Sequence, residues 1–480
     1  MSPGPQAWEA VIGIEVHVQL RTARKLFCGD LAVFGDEPNS HVCPVCLGLP
    51  GALPTTNPEA VQLAVRTALA LGCTVHERAI WARKNYFYPD LPKGYQITQF
   101  EQPLATGGLV AFDGAAGEAI VRIRRAHMEE DAGKSIHDRI AGGTAVDLNR
   151  AGTPLVEIVT EPDLRSAADT RAFLTALKQM LEYVDVSDCN MEEGSLRVDA
   201  NVSVRPRGVE ELGAKTEIKN VNSFSGVEKA IEVEIARQIA VVEAGGRVEQ
   251  QTLLWDDHRS VLRTMRSKEE SHDYRYFPDP DLPPLLVSQE VVVAARAALP
   301  ELPRARRARF ERDYALSAYD AGVLTQSRAG ADYFETVAEA SGKAKAAANW
   351  VMGPAQALMH ERGEDPTTFA VSAAALAELI GLVADGTISD AVAKGVLSVV
   401  AAEGGSPREI VRARGLTQVR DDSQLEAWVR AVVDEHPDEV ARYRGGEAKL
   451  VGFFVGQVMK RSGGKADPKR VSELLRSALA

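Results

Sequence analysis

Residues 11–20 alternate between apolar and polar side chains with a period of two. Glu15, His17 and Gln19 occupy every second position, and branched apolar residues fill the positions between them. Successive side chains of a strand point to opposite faces of a sheet, so the spacing predicts a strand with one apolar face. The other face then carries a carboxylate and an imidazole. The chain must therefore form a sheet that is covered by a core on one side.

A second run, residues 196–204, has the same design. Arg197, Asp199, Asn201 and Ser203 share its polar face. An antiparallel sheet often leaves one face to water, which is the simplest explanation of such a pattern. Asp and Asn are depleted in strands, however, because their short side chains compete for backbone hydrogen bonds. The pair in mid-strand therefore favours a chemical role.

Further carboxylates occur inside an apolar run and as a group of consecutive acids. Glu157 lies inside the apolar run 155–159, where an unpaired charge is costly unless a cation meets it. Glu129, Glu130 and Asp131 are consecutive, and adjacent acids repel one another unless they are solvated or held by a divalent cation. Oxygen ligands of this kind suit Mg²⁺.

A further strand-like segment, residues 213–220, places cations beside a carboxylate. Lys215, Glu217 and Lys219 lie on one of its faces. Cations next to metal-binding carboxylates are what a magnesium-nucleotide site requires.

The order of patterns along the 480 residues predicts an α+β fold with three domains. Strand-like alternation and turn signals dominate residues 1–290, and the proline-dense stretch 278–284 reads as an exit from this domain. Alanine-rich helical segments fill residues 291–405. A break near residues 403–408 precedes a small helical domain, residues 406–480. The predicted helices are 58–71, 166–183, 288–299, 331–341, 344–363, 371–385, 422–435, 436–444, 448–461 and 468–479.

The last 40 residues carry a charge opposite to that of the whole chain. The net charge is −12, yet residues 441–480 contain nine basic and three acidic residues, a net of 9 − 3 = +6. A basic C-terminal segment in an otherwise acidic chain is suited to binding a polyanion. A lysine-rich solvated helix surface would give the same count.

Three of the five cysteines lie close together in sequence. Cys43 and Cys46 form a Cys-x-x-Cys knuckle, and Cys28 lies near enough to supply a third thiolate for zinc. A fourth ligand would come from Asp30, Asp36 or His41. Ordinary buried cysteines without metal are the alternative. So few cysteines in a long chain argue against a disulfide scaffold and agree with a reducing compartment.

Two segments, residues 83–95 and 272–277, interleave aromatic rings with cations. This composition suits stacking on unpaired bases and neutralising phosphate. Loop residues that pack on a core have a similar composition.

Several function classes lack their motifs. Met128 stands where a phosphate loop ending at residues 133–135 would need its first glycine, and no Gly-x-Gly-x-x-Gly opens a helix after a strand. Neither an N-terminal cysteine nucleophile nor a Ser-Lys amidase constellation is apparent, so ammonia would have to come from elsewhere. No apolar run approaches about 18 residues and the start has no signal-peptide pattern, which predicts a cytoplasmic protein without membrane association.

Taken together, these motifs closely resemble the B-subunit family of bacterial aspartyl/glutamyl-tRNA amidotransferases. The resemblance covers essentially the whole chain in the family's order. The matching runs are residues 12–17, 43–51, 84–96, 127–134, 147–150, 190–201, 217–220 and 273–277.

The resemblance implies an ATP-dependent reaction on mischarged tRNA. The side-chain carboxylate of Glu on tRNA-Gln, or Asp on tRNA-Asn, is phosphorylated, and ammonia then displaces the phosphate. It also implies a first domain that forms a cradle related to glutamine synthetase, with an antiparallel sheet, followed by an all-α helical domain and a small all-α tail. Its cofactors would be ATP and Mg²⁺, and its partners an amidase (the A subunit), a small C subunit and mischarged tRNA.

The resemblance also assigns roles to residues. The predicted catalytic residues comprise five ligands or organisers of Mg²⁺ and two cations that stabilise the phosphoryl group. The five are Glu15, His17, Glu130, Glu157 and Asp199, with Glu129 and Asn201 close by. The two cations are Arg197 and Lys219. Predicted tRNA contacts are Lys84, Tyr86, Tyr88, Lys93, Tyr95, Lys460, Arg461, Lys465, Lys469 and Arg470.

The chain departs from the family pattern at one position. Many members carry a cysteine where this chain has Asp30, so zinc would be held by mixed ligands, held weakly, or lost. Two rivals remain. The archaeal protein specific for Glu-tRNA-Gln carries an inserted domain for which this chain has no room. A non-catalytic tRNA-binding scaffold would not need polar-faced strands.

Overall fold

The computed structural model describes residues 8–136, 140, 142–267, 274–419 and 421–479. The chain forms two compact units, Met1–Leu302 and Pro303–Ala480. The first combines a large mixed sheet with helices, and the second consists mainly of helices, so the α+β expectation is confirmed. His272 and Asp273, which belong to two of the predicted motifs, lie outside the described residues.

In chain order, the strands of the first unit are β1 (Trp8–Gln19), β2 (Thr74–Val75), β3 (Arg78–Ala79), β4 (Trp81–Asn85), β5 (Tyr95–Gln99), β6 (Ala105–Thr106), β7 (Leu109–Gly114), β8 (Gly117–Glu130), β9 (Lys134–Ile136), β10 (Ala145–Asp147), β11 (Pro154–Thr160), β12 (Leu196–Pro206), β13 (Thr216–Val221), β14 (Gln251–Asp256), β15 (Val261–Ser267), β16 (Phe277–Pro278) and β17 (Leu285–Leu286).

Helices α1 to α4 belong to the first unit and α5 to α16 to the second. They are α1 (Pro58–Ala70), α2 (Ala167–Tyr183), α3 (Phe224–Glu243), α4 (Gln289–Ala297), α5 (Pro303–Asp313), α6 (Ala318–Leu324), α7 (Arg328–Ser341), α8 (Ala344–Trp350), α9 (Gln356–Arg362), α10 (Ala373–Ala384), α11 (Asp390–Glu403), α12 (Pro407–Ala413), α13 (Asp422–Glu435), α14 (Pro437–Arg444), α15 (Val451–Arg461) and α16 (Pro468–Leu479). No described helix is long and apolar enough to cross a membrane.

The large sheet has the strand order β15-β14-β13-β12-β1-β11-β8-β6-β2, with β7 paired to β8. Its named pairs are antiparallel except β13 with β14. The register sets Glu15 opposite Asp199, and His17 opposite both Glu157 and Arg197. Strand β1 is therefore central, and the two polar-faced strands predicted from the sequence are neighbours.

Burial along β1 alternates as its sequence does. Ile14, Val16 and Val18 are at most 1% exposed and belong to a core shared with helices α1, α2 and α3. Each such side chain contributes about 1.5–3 kcal/mol when it is fully removed from water. A slip of one residue would turn these side chains away from the core, so the apolar face fixes the register that aligns the polar face.

Most predicted helices are confirmed, some with bounds shifted by a few residues. Asp467 caps α16 through the N–H groups of Lys469 and Arg470, as the sequence predicts. The helix predicted over residues 344–363 is instead interrupted by a π-helical turn, Val351–Ala355. Pro354 lacks the N–H that an α-helix would use, which accounts for the interruption.

The first compact unit extends beyond the predicted boundary at residue 290. Leu282, Val287 and Val292 pack into the core of the sheet, so the proline-dense stretch and α4 belong to the first unit. Within the second unit, α5 to α12 surround one apolar core and α13 to α16 surround another.

Candidate active site and metal sites

The polar face of the large sheet forms one wall of a cleft of about 490 Å³. Strands β1, β8, β11, β12 and β13 each contribute charged side chains, because every second residue of a strand reaches the same face. These residues are Glu15, His17, Arg125, His127, Glu129, Glu157, Asp199, Glu217 and Lys219. Lys84, Tyr274 and Tyr276 also line the cleft.

One cluster in the cleft joins His17 to two carboxylates. Nε2 of His17 lies 3.3 Å from Oε1 of Glu129 and 3.4 Å from Oε2 of Glu157. His127 approaches the same Glu157 oxygen at 3.5 Å. One ligand atom from each of His17, Glu129 and Glu157 lies within 4.8 Å of the others, which is close enough to share a cation.

A second cluster lies two residues along β1. Glu15, Asp199 and Glu217 bring one oxygen each within 4.8 Å of one another. Lys219 pairs with Asp199 at 2.6 Å and with Glu217 at 3.0 Å. Asn201 donates to Oε1 of Glu15 at 3.2 Å. Two of the three clustered carboxylates thus pair with one ammonium group.

Burial and neighbouring charges shift the pKa of several groups in the cleft. Burial and the charges of Glu157 and Glu217 raise the pKa of Glu15, despite the opposing effect of Lys219. Burial and Glu157 likewise raise the pKa of Glu129. Burial would lower the pKa of His17, but its hydrogen bond to Glu157 and the charge of Glu129 outweigh it and raise this pKa. Such a site favours an added cation.

His127 and Glu157 respond differently to the same environment. Burial lowers the pKa of His127 to about 4, so its ring is neutral near pH 7. Burial opposes the ionisation of Glu157, but the imidazoles of His127 and His17 and the ammonium of Lys84 hold its pKa below the ordinary value. Glu157 is therefore a carboxylate at neutral pH.

The structure does not bring the predicted ligand Glu130 to this face. Its carboxylate accepts the N–H of Ile97 at 2.8 Å and pairs with Lys93. Glu129 lies in the cleft instead. Adjacent residues of a strand point to opposite faces, so only one of the two acids can face His17.

Arg197, the second predicted phosphoryl-binding cation, pairs with Asp131 at 3.0 Å. Asp131 also accepts from Gln19 at 2.9 Å. Burial opposes ionisation of this carboxyl, but Arg197 and Arg150 hold its pKa below the usual value. Arg197 and Lys219 both pair with carboxylates, but of the two only Lys219 lines the cleft.

The predicted tRNA contacts of the first unit divide into three groups. Lys84 lies in the cleft, with its ammonium 5.0 Å from the ring centre of Tyr274. Tyr88 is exposed, whereas Tyr86 is half-buried and donates to Gln96. Lys93 is held by Glu130, and Tyr95 lies under the guanidinium of Arg83, 4.1 Å from its ring centre.

The predicted contacts in the tail lie on α15, α16 and the loop between them. Lys460 and Lys469 are exposed, and Lys465 is half-buried. Arg461 pairs with Glu435 at 2.7 Å, and Arg470 pairs with Asp422 at 2.7 Å. Part of the basic surface is therefore already neutralised by acidic neighbours.

Cys28, Cys43 and Cys46 lie close to one another and to the carboxylate of Asp30. Sγ of Cys46 lies 3.4 Å from that of Cys28, 3.8 Å from that of Cys43 and 3.1 Å from Oδ2 of Asp30. All four ligand atoms lie within 4.8 Å of one another. Of the three fourth ligands considered, Asp36 pairs instead with His41. All five cysteines of the chain are free thiols.

Several residues that line the cleft were assigned only a minor role, or no role, from the sequence. Glu129, Glu217 and His127 are on its wall, and Lys84 lies there rather than in a separate loop surface. The alternation His127, Glu129, Asp131 could have identified Glu129 as the acid that faces the cleft. Thr98, which lies 3.4 Å from Glu129, is carried by a strand with no distinguishing pattern.

Comparisons with known proteins match the chain over nearly its whole length. A family model described as "GatB/GatE catalytic domain" matches residues 10–293, and one described as "GatB domain" matches residues 332–479. The B subunit of the aspartyl/glutamyl-tRNA(Asn/Gln) amidotransferase of Myxococcus xanthus is 51% identical, covering 98% of both chains. The protein of the same name from Moorella thermoacetica is 52% identical, covering 98% of this chain and all of its own. The chain therefore belongs to the GatB/GatE family, among relatives named as the B subunit of aspartyl/glutamyl-tRNA(Asn/Gln) amidotransferase.

Proposed function

We propose that this protein catalyses ATP-dependent transamidation of Glu-tRNA(Gln), Asp-tRNA(Asn) or both. The observation that carries the proposal is the juxtaposition, in one cleft, of two carboxylate clusters with Lys219 and Lys84. Its relatives' names supply the substrate class, because they specify aspartyl- and glutamyl-tRNA. A carboxylate is a poor electrophile, and converting one of its oxygens to phosphate makes it replaceable by ammonia.

The carboxylate clusters fit Mg²⁺, the expected metal. The oxygens of Glu15, Asp199 and Glu217 are hard ligands, and burial together with the charges of Glu157 and Glu217 raises the pKa of Glu15 despite the nearby Lys219. His17 is a softer donor, which suits Mg²⁺ less than Mn²⁺, so its role is better described as organising Glu129 and Glu157. When bound, Mg²⁺ would neutralise phosphate oxygens during transfer.

The residues of the chain would act by position and charge. Lys219 would donate to phosphate oxygens, since its ammonium already lies between two carboxylates at the centre of the cleft. Glu157 would keep His17 in place, and neutral His127 would support Glu157 from the other side. Arg197 would orient Asp131 at the margin rather than bind the phosphoryl group.

We also propose that the chain has three domains and that the first of them forms a cradle. Three separate apolar cores support three domains in place of 1–290, 291–405 and 406–480, with the first boundary moved past α4 and the second past α12, because each of these helices packs on the core that precedes it. The mostly antiparallel sheet with its charged cleft supports a cradle related to that of glutamine synthetase. Ammonia would come from the amidase (the A subunit), with a small C subunit completing the complex.

The helical tail would bind the body of the tRNA. Exposed Lys460 and Lys469 support this role, and exposed Tyr88 supports a contact of the first domain with RNA. Because it would modify charged tRNA, we expect this protein to act in the cytoplasm. A scaffold without catalytic function would leave the buried carboxylates of the cleft without a role.

The cysteine cluster would hold a structural zinc ion with three sulfur ligands and one oxygen ligand. Sulfur atoms of a tetrahedral zinc site lie about 3.8 Å apart, since Zn–S bonds are about 2.3 Å long. The observed separations of 3.4 and 3.8 Å from Cys46 fit this geometry. Lys25, a buried lysine, donates to Cys46 at 3.4 Å and would offset the charge of the thiolates.

We expect purified protein to contain about one zinc per chain, measured by metal emission spectroscopy. Cys46→Ser should lose most of this zinc, because Cys46 contacts each of the other three ligands. Cys73→Ser, which alters a buried thiol outside the cluster, should keep it. Equal zinc content in both variants would contradict the assignment.

The function is tested by ATP hydrolysis in the assembled complex. We expect hydrolysis to require tRNA that carries the mismatched amino acid, with Glu-tRNA(Gln) and Asp-tRNA(Asn) assayed separately. Uncharged tRNA and correctly charged Gln-tRNA(Gln) are the controls, because neither offers a side-chain carboxylate. Hydrolysis that is the same with charged and uncharged tRNA would contradict the proposal.

A further inference from the structure

Strand β13 contains an extra residue beside the second carboxylate cluster. Its pairing with β12 shifts by one residue between Val198 and Ala200, so that three steps along β13 match two steps along β12. Lys219 and Asn220 therefore both face the single residue Asp199. This arrangement is a β-bulge, which bends a strand, increases its twist and changes the direction of the side chains beside it.

The backbone of Asn220 is left-handed, with a φ of 64°. Of the described non-glycine residues with positive φ, Asn220 alone lies within a strand. Asn enters this region more readily than most residues because its short side chain forms local hydrogen bonds, whereas a β-branched residue is a genuine outlier there. Nδ2 of Asn220 donates to the backbone oxygen of the buried Trp255 on β14 at 3.3 Å. The bulge is thus attached to the neighbouring strand.

The bulge allows β13 to serve the core and the cleft together. Ile218 and Val221 are both buried in the core of the sheet, at 0% and 6% exposure. They are three residues apart, whereas side chains of a regular strand return to one face every two residues. The left-handed residue takes up the difference, so that Val221 reaches the core while Lys219 stays on the cleft face.

Two carboxylates define where the ammonium of Lys219 must lie. It is 2.6 Å from Oδ2 of Asp199 and 3.0 Å from Oε1 of Glu217. The other oxygen of Glu217 accepts the hydroxyl of Thr252 on β14 at 3.0 Å, which holds this carboxylate independently of the lysine. A displacement of the ammonium by about 1 Å would exceed the range of a hydrogen bond to Asp199.

We propose that Asn220 is a positioning residue of the active site, whose left-handed bulge directs the ammonium of Lys219 to its place between Asp199 and Glu217. The importance of that ammonium for phosphoryl transfer rests on the proposed function, but its position in the cleft does not. Asn220 acts through Lys219 and does not itself line the cleft. Strained backbone of this kind persists where the surrounding structure requires it, and it is concentrated at active sites.

The test compares Asn220→Val with Asn220→Gly in the assembled complex. Both lose the amide, but valine is strongly disfavoured at positive φ, whereas glycine adopts it freely. Asn220→Val should lower kcat for tRNA-dependent ATP hydrolysis on the order of 10–10²-fold at an unchanged KM for mischarged tRNA. Asn220→Gly should stay within a few-fold of wild type. If the valine variant does not assemble, Asn220→Ala should show a smaller loss of the same kind.

Ser260→Val is the matched control for backbone strain. Ser260 also has a positive φ, 52°, but it lies in an exposed turn between β14 and β15. This variant should lower the unfolding temperature, as Asn220→Val does, with hydrolysis nearly unchanged. Equal losses of activity in Ser260→Val and Asn220→Val would overturn the proposal, and so would equal losses in Asn220→Gly and Asn220→Val.

Two further measurements locate the effect at Lys219. Adding Asn220→Val to Lys219→Met should slow hydrolysis by no more than about twofold, because the ammonium that the bulge directs is already gone, whereas multiplied losses overturn the proposal. Crystal structures of the complex should show the Lys219 ammonium displaced from Asp199 in Asn220→Val and in place in Asn220→Gly. An unmoved ammonium overturns the positioning role. A wild-type complex without tRNA-dependent hydrolysis would instead remove the proposed function, and the crystal structures would still decide the positioning role.

Discussion

Glu157→Gln should lower the rate of transamidation by a factor on the order of 10²–10³ or more while leaving tRNA binding unchanged. The substitution keeps the size of the side chain but removes the charge that His17, His127 and Lys84 stabilise. Without that charge, the hydrogen bond from His17 is no longer charge-assisted, and the cluster keeps only the carboxylate of Glu129. Single-turnover amide formation on mischarged tRNA measures the effect.

Glu161→Gln is the matched control for this change. Glu161 directly follows the strand that carries Glu157, but it does not line the cleft and pairs with the largely exposed side chain of Arg124, which lines it. A surface ion pair contributes only about 0–1 kcal/mol, so activity should stay within a few-fold of wild type. If Glu157→Gln were as active as Glu161→Gln, Glu157 would have no part in the site.

Lys219→Met should separate phosphoryl transfer from metal binding. The change removes the only described ammonium that pairs with Asp199 and Glu217, leaving three carboxylates around the position. We expect tRNA-dependent ATP hydrolysis to fall by about 10²–10³, the usual cost of losing a group that stabilises transition-state charge. Affinity for Mg²⁺ or Mn²⁺ should not fall, because a competing cation has gone. Hydrolysis rates and manganese titration measure the two effects.

Lys215→Met provides the comparison for Lys219. Lys215 precedes the same strand by one residue and is exposed, and its replacement removes the same charge from the chain. This variant should keep nearly full hydrolysis. A parallel loss of activity and metal affinity in Lys219→Met would point to a damaged fold rather than to a lost phosphate contact.

The sequence was sufficient to predict the strands that carry the site. The alternation around Glu15 and His17 requires one buried face, and that requirement alone fixes which side chains share the other face. The strand patterns also singled out Glu157, Asp199 and Lys219, to which the family resemblance assigned roles, and the structure brings all three to the same cleft. Helix ends were predictable where a cap or a proline marks them, as at Asp467.

The choice between Glu129 and Glu130 shows where motif reading was insufficient. Both acids belong to one matching run, and a run of letters does not say which face each residue occupies. Strand β8 places His127 and Glu129 on the side of His17, and turns Glu130 toward Lys93 and the backbone of Ile97. The pairing of β8 with β11 sets His127 opposite Glu157, and this register places Glu129 rather than Glu130 on the face of the cleft.

The assignment of Lys84 shows the same limit over a longer distance. In sequence it belongs to an aromatic-basic run suited to RNA, whereas in the folded chain it lies above Tyr274 in the cleft. Residues 84 and 274 are brought together because strand β4 pairs with β16 next to it, a contact between segments far apart in sequence.

The sequence by itself determined that this chain has a sheet with one apolar and one charged face, because a period of two permits no other separation of its side chains. It also determined the family, since long runs of matching residues are specific. Only the tertiary structure decided which carboxylates meet, that Arg197 pairs with Asp131 while Lys219 stays in the cleft, and that Asp30 completes the cysteine cluster. These contacts join residues from different strands and loops, and their distances depend on register and packing, which no local pattern contains.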